Sequence, residues 1–286
     1  MHPAHTLPTG NVVFGAGASQ NFVVGNADRQ VEEAREAISE NPGAAVTPGT
    51  TRSVEERNAE VLEGAIAYSL MTPGLAPWVG GRVGVGYDFE AGLTYTGRSA
   101  RLDGRYAFET DSTALSIGLG LSGRLLHPEQ NAAQTGEVPL VNDGGIAGVG
   151  FDVPVIVGWR SSADVVQAYG GVRGGYETLF GTYLVTSVDT DATRGEADVR
   201  AGRSFFGGLL GMIIGVRPVW VGFELDATYH YGRGTVNEVV ERSAPEGWPE
   251  DELWTPAPIP GFERTETGTL SGVSLTPTGV IMGNFN

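Results

Sequence analysis

The chain has 286 residues, 44 glycines and no cysteine, and all 18 of its basic side chains are arginine. A formal charge of -16 runs against nucleic-acid binding, which rests on cationic neutralisation of phosphates, and the lack of cysteine excludes disulfides and thiolate metal sites. No apolar run approaches the length of a transmembrane helix, which leaves a β-barrel open because barrel strands are short and only half apolar.

Residues 1–10 read as a flexible N-terminal leader on the periplasmic side, holding His2 and His5. The leader has no basic stretch followed by an apolar one. The expectation is therefore a signal peptide already removed, with a lipidated cysteine as one possible native start. Residues 11–286 read as a single barrel of ten strands.

The first strand, Val12 to Phe22, sets Val12, Phe14, Ala16 and Ala18 against Gly15, Gly17 and Ser19. Residues 24–73 follow as an insertion. Within it, Gln30 to Glu40 reads as helix, and Asn41-Pro42-Gly43 stops it. Ser53 to Glu56 forms a capping box, with Val54, Val61, Leu62, Ala65 and Ile66 as an apolar stripe. The insertion is expected on the outer rim or in the lumen. The alternative is an extra strand pair over Glu63 to Leu70.

Four alternating segments come next: Trp78 to Tyr87, Phe89 to Thr96, Ser99 to Glu109 and Thr113 to Leu125. A sixth strand runs from Gly148 to Trp159, and a seventh, less regular, from Val165 to Glu177. The eighth, Ser204 to Val216, is apolar on both faces, so its parity stays open. The ninth, Val219 to Tyr231, is the clearest. Val219, Val221, Phe223, Leu225, Ala227, Tyr229 and Tyr231 share one face, against Trp220, Glu224, Asp226, Thr228 and His230 on the other. The tenth, Thr269 to Phe285, contains Pro277, which predicts a bulge or an edge-like position.

The connections alternate. Segments 23–77, 126–147, 178–203 and 232–268 are long, and every intervening even-numbered connection is short. Short periplasmic turns and longer outer loops are the asymmetry of membrane barrels. The segment 234–268 is expected to be a long outer loop.

The expected inward faces carry Arg82, Arg101, Arg105, Arg124 and Arg173 with Glu90, Asp103, Glu109, Asp152, Glu177, Glu224 and Asp226. Mixed charges shielded from lipid predict a lumenal ion-pair network. A path for small ions or solutes is the competing reading. Ten strands make a narrow barrel, which favours the structural one.

Tyr87, Tyr95, Tyr106, Trp159, Tyr176, Tyr229, Tyr231 and Phe285 fall near strand ends, where aromatic girdles meet lipid headgroups. Gly118 to Gly123 matches a dinucleotide fingerprint but sits inside a strand with no following helix, so no such site is expected.

His230 and Asp226 are the only acid–base candidates. They share a face but stand roughly 13 Å apart at strand rise, and Ser274 offers a hydroxyl with nothing to mark it as a nucleophile. His127 reads as a rim residue. The acids Asp189, Asp191, Glu196, Asp198, Glu238, Glu241, Glu246, Glu250, Asp251 and Glu252 read as solvated outer loops without cation-site spacing. No cofactor and no metal is expected.

Residues 77–108 and 219–231 resemble bacterial outer-membrane β-barrel proteins, most nearly the small barrels, often lipoproteins, of myxobacteria. That resemblance implies an outer-membrane location, lipid contact, insertion by the barrel-assembly machinery, and a monomer. A C-terminal aromatic is typical of such proteins. Here Phe285 is penultimate and Asn286 follows. The function expected is a narrow pore, or a surface structural or binding scaffold. A rim hydrolase acting on peptide or lipid, and a soluble lipocalin-like barrel, are the alternatives.

Overall fold

In a computed structural model the chain closes on itself as an antiparallel ring of ten strands, ordered β1-β10-β9-β8-β7-β6-β5-β4-β3-β2. The structure describes residues 3–39, 67, 70–71, 73–97, 99–126, 146–186, 193–216, 218–242 and 263–285. The strands are β1 Val12–Val24, β2 Gly74–Gly86, β3 Phe89–Tyr95, β4 Ser99–Glu109, β5 Thr113–Leu126, β6 Ile146–Arg160, β7 Val166–Thr186, β8 Thr193–Val216, β9 Val219–Arg242 and β10 Glu263–Phe285. Each strand pairs with its chain neighbours, and β1 closes the ring on β10 from Val12↔Phe285 to Val24↔Val273.

The alternation read from the sequence is the alternation of the walls. On β9 every odd residue from Val219 to Arg233 is exposed and every even residue from Trp220 to Gly234 is buried. Phe223 is 61 % exposed and Trp220 only 8 %. The parity of β8 is also settled. Arg203, Phe205, Leu209 and Ile213 face inward, while Phe206, Leu210, Met212 and Ile214 face outward. Both faces of β8 are apolar because its inner face packs into an apolar layer within the barrel.

The last four strands are longer than the sequence reading. At about 3.3 Å per residue, the 24 residues of β8 and of β9 extend to about 80 Å. A spanning strand needs only about 9–11 residues. The segment 234–268, expected as loop, is strand over 234–242 and 263–268; the remainder lies outside the described residues. Glu196 and Asp198 likewise belong to β8, and Glu238 and Glu241 to β9. By contrast β3 has 7 residues. The rim is thus tall at β7–β10 and low at β3–β4.

The hairpin between β2 and β3 turns at Tyr87 and Asp88, with φ of 54° and 58°. Two successive positive φ values are the signature of the two-residue turn whose twist matches a hairpin. Tyr87 therefore belongs to the turn, not to β2. Pro277 stays in register with Leu225 of β9. On its other side the β1 ladder skips from Ser19↔Thr278 to Phe22↔Leu275, where a residue without an N–H cannot donate. Thr276 Oγ1 donates to Asn21 Oδ1 at 3.0 Å across that gap.

The insertion opens with helix α1, Asn26–Ser39, four residues earlier than the sequence reading began it. Ala67, Leu70 and Met71 are helical, against the strand alternative at those positions; the rest of 63–70 lies outside the described residues. The capping box and its whole apolar stripe lie outside the described residues, as do His127 and the acids of 189–191 and 246–252.

Candidate functional site

The interior of the barrel is layered along its axis. At the short-turn end an apolar cluster joins Ile156, Tyr169, Leu209, Ile213, Trp220 and Met282. The middle layer is charged. At the long-connection end a second apolar layer includes Leu179, Val199 and Leu270.

The middle layer is built by strand alternation and cross-strand register. On the β2–β4 side one alternating chain of charges runs Arg105–Glu90–Arg82–Asp103–Arg101–Asp152. Arg105 Nε lies 2.8 Å from Glu90. Arg82 bridges Glu90 and Asp103. Arg101 reaches Asp103 at 2.6 Å and grips Asp152 with two bonds of 2.8 Å each. A second group is Arg124–Glu177–Arg203, at 2.8 and 2.5 Å. A third pairs Arg173 with Asp226 at 2.9 Å, and Tyr169 donates its hydroxyl to Glu224 at 2.9 Å. Every charge nominated for the lumen from the sequence faces inward, and each of them contacts a partner. Glu90 is fully buried. Such charges hold only as pairs, because removing one strands the other in a poor solvent.

Arg203 and Phe205 are the lumenal residues the sequence reading missed. The Phe205 ring lies between two guanidinium groups, 5.6 Å from that of Arg203 and 5.9 Å from that of Arg173. Both lie within cation–π range. The parity of β8 would have found Phe205, but its two apolar faces hid it, and Arg203 fell in the segment 178–203 read as a connection.

Each end of the lumen is filled by the chain itself. At the long-connection end Leu70 has no exposed surface. Its carbonyl accepts from Arg203, and from Arg124 at 3.3 Å. Asn21 Nδ2 donates to the Met71 carbonyl at 2.5 Å. Gly232 and Gly272 leave the space these residues use. A Cβ on Gly232 would lie 3.0 Å from Leu70 Cδ1, and one on Gly272 would lie 3.1 Å from Ala27 Cβ. Gln30 Nε2 anchors α1 to the Thr269 carbonyl at 3.2 Å.

At the short-turn end the leader, expected to be flexible, packs inside the barrel. Ala4 and His5 are buried. Ala4 joins the apolar cluster there. Arg105 donates to the Pro3 carbonyl and, at 2.9 Å, to that of His5. Glu109 accepts from the Thr6 N–H at 2.5 Å and from its hydroxyl at 2.7 Å. Glu90 accepts from the Leu7 N–H at 3.1 Å.

His230 Nε2 stands 2.7 Å from Ser274 Oγ, a contact that β9–β10 register creates. The distance is that of a hydrogen-bonded nucleophile and base, but the third member of a triad is missing among the described residues. A working triad needs a carboxylate on the far imidazole nitrogen, and His230 Nδ1 has no hydrogen-bond partner. Asp226 is held by Arg173 and Thr228. Leu70 lies against Gly232, the next inward position above His230.

Of the nominated interface aromatics, Tyr87, Tyr95, Tyr106, Trp159, Tyr176, Tyr229 and Tyr231 are all exposed on the outside of the barrel. Phe285 pairs with Val12, and its side chain lies outside the described residues.

No protein-family model and no curated protein matches the chain. Among solved structures it is similar to the RagAB peptide importer in its open-open state, at 9 % identity and a TM-score of 0.30, over 97 % of this chain and 41 % of that one. The chain thus spans less than half the length of that protein. It is also similar to the Pseudomonas putida toluene transporter TodX, at 9 % identity and a TM-score of 0.30, over 98 % of this chain and 90 % of that one. The CymD monoaromatic hydrocarbon channel follows at 8 % identity and a TM-score of 0.22, over 98 % and 90 %. These likenesses are weak, and the barrel assignment rests on the closed ring of strands itself.

Proposed function

We propose that the chain is a monomeric outer-membrane barrel that works as an anchored scaffold, closed at both ends by its own chain, rather than as an open pore. The single observation that carries this reading is the filled lumen. Leu70 and its neighbours occupy one end, the leader occupies the other, and ion pairs brace the layer between. Ten strands enclose little space to begin with.

The outward face supports the membrane. Phe206, Leu210, Phe223 and Ile281 are each more than three-fifths exposed. Soluble monomers rarely leave apolar patches beyond a few hundred Å² uncovered, which disfavours the lipocalin-like alternative. Tyr87, Tyr106 and Trp159 lie at the short-turn end, whereas Tyr95 ends β3 on the other side and Tyr176, Tyr229 and Tyr231 stand about one spanning length up β7 and β9. Two such bands suit two headgroup zones. With short turns on the periplasmic side, the β7–β10 wall stands outside the cell as the surface the scaffold displays. Insertion by the barrel-assembly machinery, and a lipidated N-terminus leaving the periplasmic mouth, belong to the same reading.

Planar-bilayer recording tests it. The full chain is expected to insert without stable conductance steps. Steady ohmic steps in the unmodified protein contradict the closed scaffold and restore the pore.

A further inference from the structure

The leader crosses the short-turn mouth from the β2 wall to the β6 wall, and the wall reads its main chain. Gly10 N donates to the Gly84 carbonyl at 2.8 Å, and Gly84 N to the Asn11 carbonyl at 3.0 Å. Arg105 takes the carbonyls of Pro3 and His5. Glu109 and Glu90 take the amides of Thr6 and Leu7. One leader side chain joins in, the Thr6 hydroxyl on Glu109.

Two of these groups also pair with each other within the wall: Glu90 and Arg105, almost wholly buried, lie 2.8 Å apart, and each spends a further bond on the leader. The wall is also hollowed to fit. A Cβ on Gly84 would strike the carbonyl oxygens of Leu7 and Pro8, and one on Gly158 would come within 2.6 Å of Ala4 Cβ. Side chains are excluded where the main chain must approach.

We propose that the short-turn mouth is a peptide-binding groove, selective for a main chain bent as the leader is, with a small residue at the depth of Ala4, and that the leader is its ligand held in cis. Charged, buried groups aimed at amides and carbonyls recognise backbone rather than sequence. The groove accepts an untethered peptide of the same kind once the leader is cut or displaced. The inference rests on the contacts of residues 3–11 and is independent of whether the barrel conducts.

The test uses the full chain with a protease site placed between Gly10 and Asn11, beside the exposed segment 8–10. After folding in detergent the site is cut. Residues 1–10 are expected to stay with the barrel through gel filtration. A fluorescent synthetic peptide of residues 1–10 should then exchange in at one per barrel, speeded where slow by brief urea. The same peptide N-methylated at Thr6 and Leu7, or carrying Ala4→Leu, should bind at least ~10-fold more weakly, a difference of about 1.4 kcal/mol. Changing exposed Thr9 to Ser should leave binding unaltered. Release of the cut leader with no uptake of the peptide means that only the covalent tether holds it there, and overturns the proposal. Equal uptake of the N-methylated peptide overturns main-chain recognition.

Discussion

The two ends of the lumen are closed by different physics. At the long-connection end the filling is apolar: Leu70, Met71, Ala27 and Val31 are buried together with Leu270 and Leu179, and two arginines cap one carbonyl. At the short-turn end Ala4 also joins an apolar cluster, but the rest of the leader is held by charged side chains that bond its amides and carbonyls. Apolar packing carries no charge to titrate, whereas hydrogen bonds from ionised groups depend on charge state. The two closures should therefore fail under different conditions, and each can be broken without the other.

The largest effect is expected from Glu90→Gln. It leaves Arg82 and Arg105 facing a neutral group in the buried layer and weakens the seat of Leu7. The cost should be about 3–5 kcal/mol, read as a lower midpoint in urea unfolding from micelles, with proteolysis of the leader rising in parallel. Leu70→Ala should cost about 2–5 kcal/mol. It should speed hydrogen exchange in α1 while leaving the leader protected. If the leader loosens equally, the two closures are one unit and the contrast drawn above is wrong.

Gly158→Leu should expel the leader without unfolding the ring, because its side chain claims the space of Ala4. Limited proteolysis should then cut within residues 3–10, with urea stability changed little.

Lowering the pH should act in the same direction at the same end. Burial, with the Arg160 charge next, holds the His5 imidazole below its ordinary value, against the opposing pull of Glu109 and Asp164. A docked leader therefore favours the neutral ring. Its docking is fully supported above the free histidine pKa near ~6.5 and weakens as pH falls below that value. Leader proteolysis should be faster at pH 5 than at pH 8, and α1 exchange, corrected for its intrinsic pH dependence, should not follow. The smallest effect is expected from Glu33→Gln. Its pair with Arg29 spans 3.6 Å on the exposed side of α1. Such pairs contribute about 0.3–0.5 kcal/mol, so α1 exchange should barely move.

Much of the barrel was legible because lipid and lumen impose opposite demands on alternate residues. Strand β9 displays that alternation without interruption, and the charges on its polar parity face inward as read. Legibility failed where one of the two demands was absent. Phe205 was hidden because the lower inner face of β8 packs against apolar residues, so both parities read alike, and Arg203 was hidden because β8 was begun one residue after it. The upper halves of β8–β10, with sequences such as Thr193 to Arg200 and Glu263 to Gly268, show no apolar alternation in sequence, so they read as loop.

The pairings within the lumen were not legible either. Same-face charges can be listed from one chain, but their partners depend on register, as the His230–Ser274 contact across β9 and β10 shows. The leader left least trace of all. A segment held by its amides and carbonyls needs no conspicuous side chains. Its only marks are small residues, Ala4 on one side and Gly84 and Gly158 on the other.

Everything here depends on the medium that meets the exposed side of the strands. Two single-tryptophan versions of the protein measure it on one strand: one keeping only Trp220, and one carrying only Phe223→Trp. Reconstituted in bilayers of brominated lipid, the tryptophan at position 223 should be strongly quenched and Trp220, turned into the lumen, should keep its emission. Equal quenching at both positions, or none at 223, would contradict a barrel with acyl chains outside and ion pairs within.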